Sequence, residues 1–364
     1  MSFVVHGIGT TTPPSAVSNE DGLRLARKLA GPTARESGFL PAVFAGTGNR
    51  TRYQVVGRDV MQDVFDGTSI SGSVFLPSGE PDCMGPTTSE RSSVYAAEAP
   101  PLAVDAASKA LRESGFDPWS ITHLITVSCT GFVAPGIDRA LIEQLGLRPT
   151  VERTHVGFMG CHGALNGLRV ANAFTTADPA ARVLLCAVEL CSIHYHYGDD
   201  PEKIVANALF ADGAASVVGT GSGGGWSVVA NGSCLIPDSA DAMGWTIGDH
   251  GFEMSLARRV PSLIAQSLES WMRAWLDQHN LTIDQVGGWA IHPGGPKILD
   301  AAAEALSLPA EALGPSRQVF ADYGNMSSPT VLFIIDALRR ADAALPCIAL
   351  GFGPGLVVEA ALWR

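Results

Sequence analysis

Three short stretches each set a reactive side chain beside a glycine-rich turn: Gly157-Phe-Met-Gly-Cys-His-Gly163, Trp289-Ala-Ile-His-Pro-Gly-Gly-Pro296 and Tyr323-Gly-Asn-Met-Ser-Ser-Pro329. A thiol can attack a thioester carbonyl, with an imidazole to carry its proton. An imidazole and an amide can together donate hydrogen bonds to an oxygen that gains negative charge. Leu165, Leu168, Ala171 and Phe174 follow Cys161 at helical spacing, so the cysteine stands where a helix enters the core. The positive end of the helix dipole and its unpaired N–H groups favour a thiolate there, with a pKa below the ordinary value of about 8.5. Taken alone, the stretch suits a buried structural cysteine equally well. His292 falls at the C-terminal edge of a short strand, where α/β sites are built, but turn hydrogen bonds could hold a histidine there too. Asn325 precedes the apolar run Thr330 to Ala337 and would serve as an ordinary N-cap.

Around these residues the sequence alternates strands and helices. His123-Leu-Ile-Thr-Val-Ser128, Arg182-Val-Leu-Leu-Cys-Ala-Val188 and Cys347-Ile-Ala-Leu350 are short apolar runs that read as buried parallel strands. Helical patterns cover Pro100 to Leu111 (with an end signal at Gly115), Asp138 to Leu145 (ending at Gly146), Val260 to Leu276 and Pro296 to Leu306. The alternation implies an α/β fold with parallel strands. Asp59 to Pro86, rich in Gly, Ser, Pro and Asp, reads as a long excursion over the surface. Each half has its own βα alternation, and the glycine stretch Gly219 to Gly225 divides them into residues 1–222, with the cysteine, and 223–364, with the histidine and asparagine. That stretch also matches GxGxxG at Gly219, Gly221 and Gly224, but a strand-like Trp226-Ser-Val-Val229 follows it. A dinucleotide loop needs a helix N-terminus at that point.

Hydrophobic residues make up 46% of the 364 and charged residues 16%, which describes a globular chain with a large interior. A formal net charge of −12 argues against nucleic acid as a partner. Seven scattered cysteines form no CxxC pair, so no structural zinc site is expected. No signal peptide and no long apolar stretch is apparent, so the expectation is a cytoplasmic protein without a membrane partner.

Taken together, the stretches resemble the type III polyketide synthases, the chalcone and stilbene synthase-like branch of the thiolase fold. The resemblance is carried by Gly85-Pro-Thr-Thr-Ser-Glu-Arg91, the Gly-Cys-His-Gly around Cys161, Ala208-Leu-Phe-Ala-Asp-Gly-Ala214, His292-Pro-Gly-Gly-Pro-Lys-Ile-Leu-Asp300, Tyr323-Gly-Asn-Met-Ser-Ser328 and Gly351-Phe-Gly-Pro-Gly355, in the family's order. It implies two similar halves in a five-layered αβαβα subunit, and a homodimer. It implies Cys161, His292 and Asn325 as catalytic residues. An acyl-CoA starter would load onto Cys161, and malonyl-CoA would decarboxylate and extend it, with ring closure to a pyrone, resorcinol or related phenol. No metal or redox cofactor is implied; coenzyme A thioesters are substrates.

The resemblance also makes Phe210 a gatekeeper between CoA tunnel and cavity. It puts Cys129, Thr130, Ala134, Cys191, His194, Trp245, Gly294, Ser327, Gly351, Phe352 and Gly353 around the substrate. Cys191 and His194 replace threonines typical of plant chalcone synthases, and Ala134 stands where plant members carry a methionine that reaches into the partner subunit. His194 and His196 have a spacing that two metal ligands could share, but no third ligand is evident. The family's basic helix for the CoA phosphates is here Ser37-Gly-Phe-Leu-Pro-Ala-Val-Phe-Ala45, without a cation, which leaves the flanking Arg35, Arg50 and Arg52 as substitutes, Arg50 and Arg52 first, and an acyl carrier protein as an alternative donor. Rival readings are a single-condensation ketoacyl synthase that uses a carrier protein, a Cys-His-Asn thioester hydrolase, and a non-catalytic dimeric binding partner.

Overall fold

The computed structural model describes residues 2–80 and 83–364. Its largest sheet takes β1 (Phe3–Thr11), β4 (His123–Ser128), β5 (Glu152–Gly157), β6 (Arg182–Leu190) and β7 (Asp212–Thr220) from one half of the chain. From the other half it takes β8 (Ser227–Leu235), β11 (Gly288–Ile291), β12 (Cys347–Gly353) and β13 (Val357–Trp363). The spatial order is β11-β12-β13-β8-β1-β7-β6-β4-β5.

Both halves repeat one pattern. β4 runs parallel to β6, β6 antiparallel to β7, and β7 antiparallel to β1. Likewise β11 runs parallel to β12, β12 antiparallel to β13, and β13 antiparallel to β8. The halves join where Phe3 and Val4 pair with Val228 and Ser227. The three runs read as parallel strands are β4, β6 and β12, but the sheet as a whole is mixed. The short connection from β12 to β13 can only make an antiparallel pair, since a parallel return needs a long crossover. The glycine stretch leads from β7 into β8, strand to strand, and both strands pair antiparallel with β1.

Helices enclose the sheet in layers. α5 (Thr88–Ser114) and α6 (Ile137–Leu145) cover the outer face of the first half, and α9 (Val260–Asp277) and α10 (Pro296–Ala305) that of the second. Between the two half-sheets lie α7 (Gly163–Ala177) and α12 (Pro329–Arg340). This gives the order αβαβα, with one apolar cluster around the central helices and one under each outer helix layer.

α5 is much longer than Pro100 to Leu111. A capping box of Thr87 and Glu90 starts it, and it runs through Pro100 and Pro101 to left-handed Gly115. Proline inside a helix costs about 3 kcal/mol, but here a buried alanine face (Ala99, Ala103, Ala106, Ala107, Ala110) lies flush on the sheet. A Cβ on Gly7 or Gly9 of β1 would collide with the carbonyls of Ala110 or Ala106, so glycine there permits the approach.

The remaining elements cap one end: β2 (Ala16–Ser18) paired with β3 (Thr51–Tyr53), and helices α1 (Asn19–Leu29), α2 (Pro32–Glu36), α3 (Phe39–Thr47), α4 (Arg58–Asp66), α8 (Pro201–Leu209) and α11 (Gly314–Tyr323). The stretch read as a surface excursion is partly folded. α4 buries Val60, Met61 and Val64, and Phe75 joins the core. Asp63 gathers the N–H groups of Ile70 and Ser71, holding the next loop in place. Pro81 and Asp82, within the same stretch, lie outside the described residues. Finally β9 (Met243–Gly248) and β10 (Gly251–Leu256) form a separate hairpin.

Candidate active site

Cys161 sits in a tight helical turn, Gly160–His162, between the end of β5 and the start of α7. The turn needs a left-handed residue at Gly160, φ +71°, where a Cβ would also come 2.7 Å from Pro354 Cδ. The loop after β12 closes over the turn. A Cβ on Gly351 would stand 3.0 Å from His162 Cβ, and one on Gly353 would collide with the His162 ring. The two glycines therefore serve as the floor against which the cysteine turn is pressed.

His292 follows β11, and its N–H donates to Leu350 O at 2.8 Å, beside that same floor. Strand alternation sends its ring to the inner face, the face on which Ala290 joins the central cluster. The ring is buried, and neither Nδ1 nor Nε2 has a hydrogen-bond partner. Asn325 lies between α11 and α12, with its backbone locked onto the end of α8. Its N–H donates to Leu209 O at 3.0 Å, and its carbonyl accepts from Ala211 N at 2.8 Å. Its side-chain Oδ1 accepts from Ser327 N at 2.8 Å, which turns Nδ2 the other way, buried and without a partner. Ser327 holds this geometry at φ +58°.

Burial dominates the electrostatics. It pushes the Cys161 thiol up to about 11, although Ser327, Asn325 and the local backbone N–H pull in the other direction. Burial also pushes His292 down to about 3, helped by nearby His162. The thiolate expected from the helix terminus is thus not the resting state: loss of solvation outweighs the dipole, and both groups rest neutral.

Residues 79–223 match the N-terminal domain of chalcone and stilbene synthases, and residues 227–364 match the C-terminal domain. The chain belongs to the chalcone and stilbene synthase family. Among its relatives, an alpha-pyrone synthesis polyketide synthase-like protein, Pks18 of Mycobacterium tuberculosis, is 32% identical over 99% of this chain and 90% of its own length. The 1,3,6,8-tetrahydroxynaphthalene synthase of Streptomyces peucetius subsp. caesius is 36% identical over 72% of each. Among solved structures, PKS-I of the brown alga Ectocarpus siliculosus superposes with a TM-score of 0.91 at 30% identity, over 100% of this chain and 98% of that one. The C-terminal type III polyketide synthase domain of Steely1 from Dictyostelium gives 0.89 at 26%, over 100% and 99%. The chain is therefore a thiolase-fold type III polyketide synthase, a carbon–carbon bond-forming acyltransferase.

The other residues that the chalcone and stilbene synthase resemblance singled out fall into three groups. Phe210, Cys191, His194 and Trp245 line one cavity of about 30 Å³, together with Phe252. Phe210 is tied to the site through a backbone bridge to Asn325. Cys129 and Thr130 lie next to Ser327: Cys129 Sγ is 3.4 Å from Ser327 Oγ. Trp245 Nε1 donates to Cys129 O at 2.7 Å. His194 Nε2 meets Thr130 O at 2.7 Å while Nδ1 accepts from Phe252 N, and His196 Nε2 meets Phe252 O, so these histidines are engaged as wall fasteners. Gly294 lies in the turn beyond His292, its N–H on the His292 carbonyl at 3.1 Å.

Two assignments need correction. Phe352 points away from the cysteine turn into the outer cluster under α9 and α10, because it alternates with Gly351 and Gly353 along β12. Arg52 is buried, with its guanidinium on the carbonyls of Asn207 and Phe210, and is not offered to a phosphate. Ala134, expected where family members reach into the partner subunit, is exposed on a surface groove beside β5. Arg50 is exposed but paired with Asp322.

Sequence reasoning missed Glu189. It is fully buried at the end of β6 and accepts from Cys129 N (2.9 Å), Thr130 Oγ1 (2.7 Å) and Ser328 Oγ (2.6 Å). It thereby binds the Cys129 wall to the start of α12. The available signal was a lone acid near the end of a strand that is apolar from Val183 to Val188.

Proposed function

We propose that this polyketide synthase loads an acyl group from a CoA thioester onto Cys161 and extends it repeatedly with malonyl-CoA. The supporting observation is the set of buried, unpartnered nitrogens on His292 and Asn325, with the Asn325 amide acting on the Cys161 thiol. In loading, the Cys161 sulfur attacks the thioester carbonyl and the bond to CoA breaks. His292, neutral at rest, carries the thiol proton to the departing CoA sulfur. In extension, the bond to the malonyl carboxylate breaks, carbon dioxide leaves, and the electron pair moves onto the thioester oxygen. His292 and Asn325 donate hydrogen bonds to that oxygen. The carbanion then attacks the acyl carbonyl, a carbon–carbon bond forms, and Cys161 leaves as thiolate. Repeated extension and ring closure give a pyrone, resorcinol or related phenol. The relatives' names cover an α-pyrone and a tetrahydroxynaphthalene. This chemistry needs no resident cofactor.

The working unit is a homodimer. β5 is a free sheet edge with exposed residues, and Phe132, Val133 and Met159 stand exposed beside it. Such an edge is managed by pairing or cover. No helix among the described residues is long and apolar enough to cross a membrane. A reducing cytoplasm suits seven free thiols. The state of Arg50 and Arg52 favours a second donor, an acyl carrier protein, since neither arginine is unpaired and exposed.

Mass spectrometry of products from malonyl-CoA and a panel of short, long-chain and aromatic acyl-CoAs, with Cys161→Ala as control, tests the reading. Cyclised products that vanish in the variant are expected. Free acid released without malonyl-CoA would point to hydrolysis instead, and activity only with carrier-bound acyl groups would establish the second donor.

A further inference from the structure

Phe158 holds a backbone conformation that its side chain disfavours. It lies at φ +60°, three residues before Cys161, and with left-handed Gly160 it makes the turn from β5 into the cysteine. Bulky residues rarely adopt this conformation. Glycine adopts it freely, and the same stretch uses glycine at positions 157, 160 and 163. The turn therefore does not call for phenylalanine; something about the ring does.

The ring makes specific contacts. It meets Phe132 at 5.4 Å between centroids and Phe252 edge-on at 5.9 Å and 77°. Phe252 in turn stacks on His194 at 4.3 Å and 14°, and meets Trp245 edge-on at 5.8 Å. Phe252, His194 and Trp245 all line the small cavity, whereas Phe158 touches Phe252 without lining it. Phe132 also meets Phe252, at 6.3 Å between centroids, and Phe158 is the ring that joins this cluster to the cysteine turn.

We propose that Phe158 is a positioning residue that sets the width of the acyl pocket. Its ring, aimed by the left-handed backbone, props Phe252 against His194 and so limits the length of acyl chain that reaches Cys161. The proposal deepens the polyketide synthase reading by assigning the residue that restricts chain length. Without the ring, Phe252 can move back into the space released and longer chains gain access.

The test uses the full-length protein and reagents that need no turnover. Cys161 is alkylated with chloroacetamides bearing an ethyl or a decyl chain, and the two rates are read by peptide mass spectrometry at Cys161. Phe158→Gly keeps the backbone conformation without a ring, Phe158→Asn is a second small residue that tolerates it, and Phe158→Tyr retains a ring. The decyl-to-ethyl rate ratio should rise about tenfold in the Gly and Asn variants, the low end of what one methylene of pocket space is worth, and stay at the wild-type value in the Tyr variant. A merely structural role would slow or speed both reagents together. A ratio within twofold of wild type in whichever small variant melts normally would overturn the proposal, as would an equal rise in the Tyr variant. The same proteins are given malonyl-CoA with butyryl-CoA or dodecanoyl-CoA. Absence of product from the wild type with these donors and with carrier-bound acyl groups would sink the extension reading while leaving the alkylation ratio to judge Phe158.

Discussion

Replacing Asn325 with alanine should separate the two halves of the proposed cycle. The side chain makes one hydrogen bond, Oδ1 to Ser327 N at 2.8 Å, and leaves Nδ2 unpartnered in a buried position. Truncation strands the Ser327 N–H, which costs about 1–3 kcal/mol, but it also removes a buried donor that was itself unsatisfied. The net loss of stability should therefore be about 1–2 kcal/mol, small enough for the protein to remain folded. The effect on chemistry should be larger. Loss of one preorganised donor to a developing oxyanion lowers the rate by roughly 10²–10³, or about 3–4 kcal/mol of barrier. The enolate exists only in the decarboxylation step, so malonyl-CoA conversion to acetyl-CoA should fall by that factor. Loading of an acyl group onto Cys161, followed by intact mass, should remain within about tenfold. Asn325→Asp controls for shape: it keeps the side-chain volume but replaces the donor with an oxygen, and should decarboxylate no faster than the alanine variant. Decarboxylation within tenfold of wild type in folded Asn325→Ala would refute this division of labour.

The thiol pKa of about 11 predicts that Cys161 alkylation by iodoacetamide keeps accelerating through pH 9; a plateau below pH 7.5 would contradict it. His194 and His292, both pushed down to about 3 by burial, bind no proton when folded but do so when unfolded between about pH 6.5 and 3. Their contribution to stability is complete above about pH 6.5 and is lost as pH falls, at up to about 1.4 kcal/mol per pH unit each. Asp212, raised to about 6, and Glu189, also raised by burial, act oppositely, while His155, His162 and His196, also lowered by burial, add to the acid loss. Urea denaturation from pH 4.5 to 7 should show this acid slope, and His194→Gln should flatten it; an unchanged slope would be evidence against a buried neutral His194. Glu189→Gln exchanges one acceptor oxygen for an NH₂ that faces donors, so it should lower stability by about 2–3 kcal/mol, read by the same denaturation method, and no loss would mean the carboxylate is not the acceptor that holds these groups.

Much of the fold was legible because it rests on periodicity. The runs at β4, β6 and β12 and the helices ending at Gly146 and starting at Pro296 stand close to where spacing and caps put them. Strand direction was not legible, because apolar runs look alike in parallel and antiparallel sheets. α5 was cut short by Pro100 and Pro101, whose local cost is overridden by alanine packing on the sheet. In the site, turn glycines marked Cys161, His292 and Asn325. What the sequence could not show was which way a side chain faces. Phe352 lies in a motif beside the cysteine turn yet points to the opposite face, and Arg52 carries a charge that the fold spends internally. Glu189 gave only a weak signal, since a single acid at a strand end is more often exposed.

The two-fold repeat explains why the thiol is placed where it is and yet rests neutral. α7 and α12 occupy equivalent positions in the two halves, and their N-termini face each other: a Cβ on Gly163 would be 3.5 Å from Ser328 Cβ. Two positive helix ends thus converge near Cys161, an arrangement that favours an anion. Burial nevertheless keeps the thiol protonated and His292 neutral, so the resting site holds converging donors without a charge on either group. In the proposed cycle the charge arrives with the substrate. The malonyl carboxylate brings one negative charge, decarboxylation moves it to the enolate oxygen, and carbon–carbon bond formation moves it to the Cys161 sulfur. The same unpartnered nitrogens and helix ends can follow it through each position. A resident thiolate–imidazolium pair would occupy those donors before malonyl-CoA entered, so a neutral resting state suits a site that must handle one mobile charge several times in succession.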